Sequence, residues 1–205
     1  MDDTLYLQQG FTDEQRPAAA ALYDAAFGAK LGVAIPDPKQ RLSILAQGFQ
    51  PKFCWVAMRG EALVGIAGYK NAQGSLTGGI SWRLLQTELG YRGALRALAI
   101  LALLDREHTP GELLLDGICV AANMRGQGVG SQLLQQLIQY AKREGYQRLR
   151  LDVINTNPDA KRLYQRMGFN VTATESFAYL RWLLGFSATT RMTYSHLNKA
   201  QKPKS

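Results

Sequence analysis

The chain has 205 residues, of which 46% are hydrophobic and 20% charged, with a formal net charge of +8. That length fits one well-buried domain spanning 1–205 and argues against two. A transmembrane helix is excluded, because the longest apolar run, Ala97 to Leu104, falls far short of the roughly eighteen residues a span needs. Two cysteines, Cys54 and Cys119, both in predicted strands, do not make a disulfide scaffold. With an acidic start, Met1-Asp2-Asp3, lacking an apolar signal core, they point to the cytoplasm. The charge is uneven. Residues 1–105 carry 10 basic and 9 acidic side chains, residues 106–205 carry 14 and 7. The excess in the second half suits an anionic ligand. Nucleic acid is the competing reading, but the basic tail 198–205, expected to be flexible, is short, and no basic helix with interleaved aromatics stands out.

In chain order, Leu5 to Gln9 alternates as a first strand. Thr12-Asp13-Glu14-Gln15 reads as a capping box opening a helix to about Phe27, followed by a loop from Gly28 to Pro36. Asp37-Pro38 caps a second helix ending near Gly48. Phe53–Met58 and Ala62–Tyr69 read as strands joined by the turn Arg59-Gly60-Glu61. The segment 71–110 reads as an insertion: a polar loop to Gly79, then one or two Leu- and Ala-rich helices between Ile80 and Glu107. The favoured reading is extra core covering a sheet edge, with an apolar wall near a substrate site as the alternative.

Leu113 to Val120 is an apolar strand. It leads through Ala121-Ala122-Asn123-Met124 into Arg125-Gly126-Gln127-Gly128-Val129-Gly130, and an amphipathic helix follows with the buried stripe Leu133, Leu134, Leu137, Ile138 and Ala141. Gly145 ends it. A strand at Arg148–Val153 follows, then a helix capped by Asn157-Pro158, carrying Ala160, Leu163, Tyr164 and Met167 on one face and stopped by Gly168. A last strand is predicted at about Thr189–Leu197, after the aromatic stretch Phe177–Phe186.

Glycines at alternate positions bare one face of a turn and permit positive φ, so backbone N–H groups can converge on an anion at a helix N-terminus. Arg125 adds a full charge at the rim. A P-loop would need lysine after Gly130, where Ser131 and Gln132 stand. A dinucleotide fingerprint would need glycine at Ser131; Asp152, an acidic residue on the next strand, leaves that reading weakened rather than excluded.

Arg125-x-x-Gly128-x-Gly130, followed by Asn157-x-x-Ala160-x-x-Leu163-Tyr164 and Gly168-Phe169, resembles the acyl-CoA-binding core of the GNAT (GCN5-related) N-acetyltransferases, over Leu113 to Phe169. The resemblance implies a mixed α/β (α+β) fold, a mostly antiparallel central sheet flanked by helices, with the inserted helical segment before the fourth strand. It implies acetyl transfer from acetyl-CoA, as co-substrate and without a metal, to an amine of a small molecule or peptide by direct attack in a ternary complex. A non-catalytic acyl-CoA-binding or protein-interaction module on the same fold is the alternative. The implied coenzyme contacts are the backbone of Ile118, Cys119 and Val120, the turn Arg125, Gly126, Gln127, Gly128, Val129, Gly130 and Ser131, and Asn157, Ala160 and Tyr164. Asn157's role as a helix cap explains it equally well. Tyr164 matches the family's tyrosine and is the candidate general acid, a phenol of about the thiolate's basicity.

Asp116 is the candidate base. Alternation puts it on the face of Leu114, Ile118 and Val120, opposite Cys119, and a carboxylate there needs a reason; pairing with an arginine is nearly as good a one. Glu112 reads as a solvated turn residue, Cys119 as core rather than nucleophile, and His108 and His196 as unassigned. The acceptor would be chosen by Gly28–Pro36 and Phe177–Phe186, which suggests apolar character. Oligomeric state is open, a homodimer included.

Overall fold

The structure, a computed structural model, describes residues 4–106, 108–176 and 187–195. Their order is β1 (Leu5–Gln9), α1 (Arg16–Leu31), α2 (Pro38–Gly48), β2 (Cys54–Arg59), β3 (Ala62–Asn71), β4 (Gly74–Ser75), α3 (Trp82–Leu104), β5 (Glu112–Val120), α4 (Val129–Arg143), β6 (Arg148–Ile154), α5 (Pro158–Arg166), β7 (Asn170–Ser176) and β8 (Ala188–Ser195). The strands form one mixed sheet in the order β1-β2-β3-β5-β6-β8-β7, with β4 beside β3. All neighbours pair antiparallel except β5 and β6.

Each face of the sheet is covered by the helices whose apolar stripes fit it. Val129, Leu133, Leu134, Leu137, Ile138 and Ala141 of α4 pack on Leu113, Leu115, Leu149, Leu151 and Val153. Side chains such as Leu137 and Leu133 are fully buried, each contributing about 2 kcal/mol. On the other face Ala19, Ala20 and Tyr23 of α1 and Leu45 of α2 cover Cys54, Val56, Met58, Ile66 and Cys119. Arg41, buried in α2, holds this layer. It pairs with Asp24 of α1 and donates to the carbonyl of Ile35 at 2.9 Å.

The capping readings hold in part. Asp37 accepts from the Gln40 amide at 2.8 Å and Asn157 from the Ala160 amide at 3.1 Å. At α1 only half of the capping box forms: Gln15 Oε1 accepts from Thr12 N–H, and the helix begins at Arg16. It also runs to Leu31, four residues past the predicted end, because Gly28 is tolerated inside it.

Helix α3 breaks at Gly90, whose φ of +69° no helix accommodates. It does not cover a sheet edge, as the edges are β1 and β7. Instead Leu85, Ala94 and Ala97 pack on Ala34, Ile35 and Ile44, against α2 and the α1–α2 connection. The strand β7 is absent from the sequence reading, and its almost wholly exposed residues explain why: no side is apolar. The stretch Phe177–Phe186, His196 and the basic tail lie outside the described residues.

Two irregularities shape the centre. β5 and β6 are parallel neighbours only from Glu112 to Leu114, opposite Arg148 to Arg150; beyond that β5 stays with β3 and β6 with β8, so the two strands part. Second, β5 carries a bulge. Gly68 opposes Gly117 while Tyr69 opposes Leu115, leaving Asp116 as the extra residue. One extra residue reverses the inward–outward alternation beyond it.

Candidate active site

Where β5 and β6 part, a cavity of about 1060 Å³ opens. Its walls come from the end of α1, from β5 between Leu115 and Val120, from the turn into α4, from β6 and from α5.

The turn into α4 is built as the spacing requires. Gly126 and Gly128 have φ of +76° and +82°, where a side chain is strained, and Gly128 is the N-cap residue of α4 with no side-chain cap. A Cβ on Gly126 or Gly128 would meet nothing within 4 Å, and one on Gly130 would touch only Val120 and Leu163 at 3.7 and 3.8 Å. The bare face of the turn is therefore open space, not protein packing. The first N–H groups of α4 lack intrahelical partners by construction and carry the positive end of the helix dipole. Gly126, Gly128, Val129, Gly130 and Ser131 all line the cavity, so the residues present fit a diphosphate. One residue of the motif points elsewhere. Gln127 is turned away from the cavity, its amide donating to the Asn123 carbonyl at 2.9 Å. Arg125 sits at the rim with Nε donating to the Val120 carbonyl at 3.2 Å.

Across the gap, α5 contributes Asn157, Ala160, Leu163 and Tyr164 to the wall. Tyr164 is buried against Phe169, ring centroids 6.0 Å apart. Burial pushes its hydroxyl up to about 12, with Arg106 pulling weakly the other way. It is thus a phenol that stays protonated and can donate.

The bulge corrects the faces of β5. Leu113 and Leu115 point into the α4-side core, and after the bulge it is Ile118 and Val120 that pack there. Cys119 packs with α1, the side on which Asp116 and Cys119 both raise the buried Tyr23 hydroxyl. Asp116 and Cys119 therefore share the α1 side, not opposite sides. Gly117 lets α1 sit close: a Cβ there would meet Phe27 at 3.0 Å. Asp116 lies in the cavity wall with Thr77 Oγ1 at 3.5 Å from its Oδ2. Burial pushes the Cys119 thiol up to about 12, which suits core and not a nucleophile.

A charged network underlies the α1 side. Asp152 on β6, 9% exposed, is surrounded by Arg150 at 3.2 Å, Arg106 at 3.5 Å and Arg191 at 3.6 Å. Glu112 is not a solvated turn residue. As the first residue of β5 it lies opposite Arg148, pairs with it at 2.6 Å and is buried. His108 bonds its carbonyl at 3.0 Å. Four basic cavity residues were given no role by the sequence reading, Lys30, Arg106, Arg162 and Arg166. Scattered over a predicted loop, the end of the segment 71–110 and a predicted helix, they carried no spacing signal. Among the described residues no group of His, Cys, Asp and Glu could hold a metal, and no helix is long and apolar enough to cross a membrane.

Residues 18–169 match the family described as the Acetyltransferase (GNAT) family. The chain belongs to it. Among curated GNAT relatives, a probable N-acetyltransferase family 8 member 5 from Mus musculus is 32% identical over 85 residues, 41% of this chain and 37% of the relative. A probable spermine N(1)-acetyltransferase from Bacillus subtilis subsp. natto is 32% identical over 93 residues, 43% of this chain and 61% of the relative. The chain thus spans less than two thirds of the length of either. Among solved structures, yncA, a putative acetyltransferase from Salmonella typhimurium with its cofactor acetyl-CoA, covers 98% of this chain and 98% of its own at a TM-score of 0.57 and 16% identity. That likeness establishes the GNAT fold, with its mixed sheet and five helices.

Proposed function

We propose that the protein transfers the acetyl group of acetyl-CoA to an amine, both substrates being bound together. The observation that carries this reading is the cavity itself, which joins the open glycine turn at the head of α4 to the gap between β5 and β6. The coenzyme supplies the activated acetyl thioester. Its diphosphate rests on the backbone of Gly126 to Ser131, with Arg125 as a charge at the rim. Its pantetheine arm runs along Ile118, Cys119 and Val120, whose edge toward β6 is unpaired. Asn157 and Ala160 flank that arm.

Holding both reactants in one cavity makes a covalent enzyme intermediate unnecessary. Asp116, set into the cavity wall by the bulge, receives the amine's positive charge and its proton. Tyr164 donates a hydrogen bond to the departing sulfur. With its pKa near 12, complete transfer to an ordinary thiolate would be roughly 5 kcal/mol uphill. Tyr164 therefore stabilises the thiolate by hydrogen bonding, and solvent returns the proton. Two free, buried thiols, Cys54 and Cys119, accord with a reducing cytoplasm.

The test is an amine panel with acetyl-CoA and a free-thiol readout, alongside calorimetry with CoA and acetyl-CoA. Thiol release that requires an amine is expected. Saturable CoA binding with no turnover on any amine would leave a binding module, and no heat with either coenzyme would end the reading altogether.

A further inference from the structure

The second half of α3, beyond the break at Gly90, is apolar on two sides. Ala94 and Ala97 are buried against Ala34, Ile35 and Ile44 of the same chain. The other side is bare. Among the described residues six large hydrophobic side chains are exposed, and four of them stand here: Tyr91, Leu95, Leu98 and Leu103, with 65%, 54%, 42% and 59% of their surface accessible. Ala99 and Ala102 are exposed beside them. At steps of three and four residues, Tyr91, Leu95, Leu98, Ala99 and Ala102 make one stripe about three turns long. A helix apolar all round belongs in an interior, and a contiguous exposed stripe marks a surface that a second body covers.

Three features fit this stripe to itself. It holds no ionisable side chain: Arg96, on its flank, turns back to donate to the Val33 carbonyl at 3.0 Å. Its charges stand at the two ends and are opposite. Arg92 is exposed beside Tyr91, and Asp105, met by Lys70 at 2.7 Å, keeps 67% of its side chain accessible beyond Ala102. Arg106 next to it is turned inward to Asp152. The sizes also match. With two copies antiparallel about a two-fold axis, Leu95 of one meets Leu98 of the other, and Tyr91 meets Ala102, large against small. The same arrangement brings Arg92 toward Asp105 at both ends, whereas parallel stripes would set Arg92 against Arg92. Tyr91 is already held edge-on by Trp82, ring centroids 5.6 Å apart, so little freedom is lost when it is covered. A helix made for a bilayer surface is edged with lysine and arginine, and here an aspartate closes one end.

We propose that α3 forms the interface of a homodimer, the Tyr91–Ala102 stripes of two copies pairing antiparallel about a two-fold axis. No described residue of α3 lines the cavity, so this pairing and the acetyl-transfer reading stand or fall separately.

Sedimentation equilibrium of the full chain, from about 1 to about 100 µM, reads the pairing directly. Twice the chain mass of 22.7 kDa is expected at the upper end. The double variant Leu95→Glu, Leu98→Glu is expected to weaken association at least hundredfold and to leave the Kd for CoA unchanged, since both side chains are exposed. Arg92→Asp and Asp105→Arg should each weaken self-association about tenfold, and an equimolar mixture of the two variants should regain it, because opposite charges then meet at both ends. A monomer at every concentration, a dimer untouched by the double glutamate variant, or a mixture no tighter than either charge variant alone would each overturn the proposal. So would a monomer that floats with phosphatidylcholine–phosphatidylglycerol vesicles and loses them in the double glutamate variant, which would give the stripe to a bilayer instead.

Discussion

Gly130→Ala separates the turn's role in folding from its role in binding. Gly130 is the second residue of α4 and has no positive φ, so alanine fits its backbone. The added methyl would meet Val120 and Leu163 at 3.7 and 3.8 Å, ordinary contact distances. Replacing glycine by alanine in a helix stabilises by roughly 0.5–1 kcal/mol. For a chain of this size that raises Tm by about 1–4 °C. The same methyl occupies the face on which the diphosphate is proposed to rest, and the expected loss of CoA affinity is at least tenfold. At CoA equal to one hundred times the wild-type Kd, wild type gains about 2.7 kcal/mol from ligand and the variant only about 1.4. The apo variant should therefore melt above apo wild type, and the loaded variant level with or below loaded wild type. Melts with and without CoA, together with calorimetric Kd values, check this. Unchanged affinity in a variant that is as stable as wild type would refute the assignment of the turn.

Tyr164→Phe should lower kcat about a hundredfold with little change in Kd for CoA or in Tm; an unchanged kcat at saturating amine removes the thiolate donor. Because burial and Arg106 hold the Lys30 pKa below its unfolded value, the folded state binds this proton less readily. Its destabilising cost is complete below about pH 8 and fades as pH rises toward about 10.5. Lys30→Met should then melt above wild type at pH 7 by a margin that shrinks between pH 8 and 10.5, and a margin that widens with pH would contradict that sign. Glu112→Gln, which leaves Arg148 and Arg150 without their shared carboxylate, should cost about 3–5 kcal/mol by urea unfolding, against less than about 1 kcal/mol for a solvated side chain. Arg41→Met should cost a similar amount and loosen Ile35, seen as faster amide exchange across 34–36.

The stretch from Leu113 to Phe169 was legible because its signals are local. A glycine turn, an apolar stripe every three or four residues and an Asn-Pro cap each specify backbone within a few positions. What stayed hidden depends on pairing. Nothing in Leu115-Asp116-Gly117 marks a bulge, since the extra residue is defined only against Gly68 and Tyr69 on β3. Glu112 reads as solvated until the parallel register sets it opposite Arg148. β7 has no apolar side to alternate, and its place at the sheet edge comes from β8. Lys30 and Arg106 are isolated basic residues in sequence, brought to one wall only when the end of α1 and the end of α3 converge.

The surplus residue in β5 has a consequence for how this chain can vary. Because Asp116 is the one residue of this stretch without a partner on β3, removing it would leave Leu115 and Gly117 opposite Tyr69 and Gly68 as consecutive pairs, with Ile118 and Val120 still toward α4 and Cys119 still toward α1. A deletion there should therefore spare the strand's packing and coenzyme binding. It should remove only the carboxylate, and with it the proposed acceptance of the amine's proton.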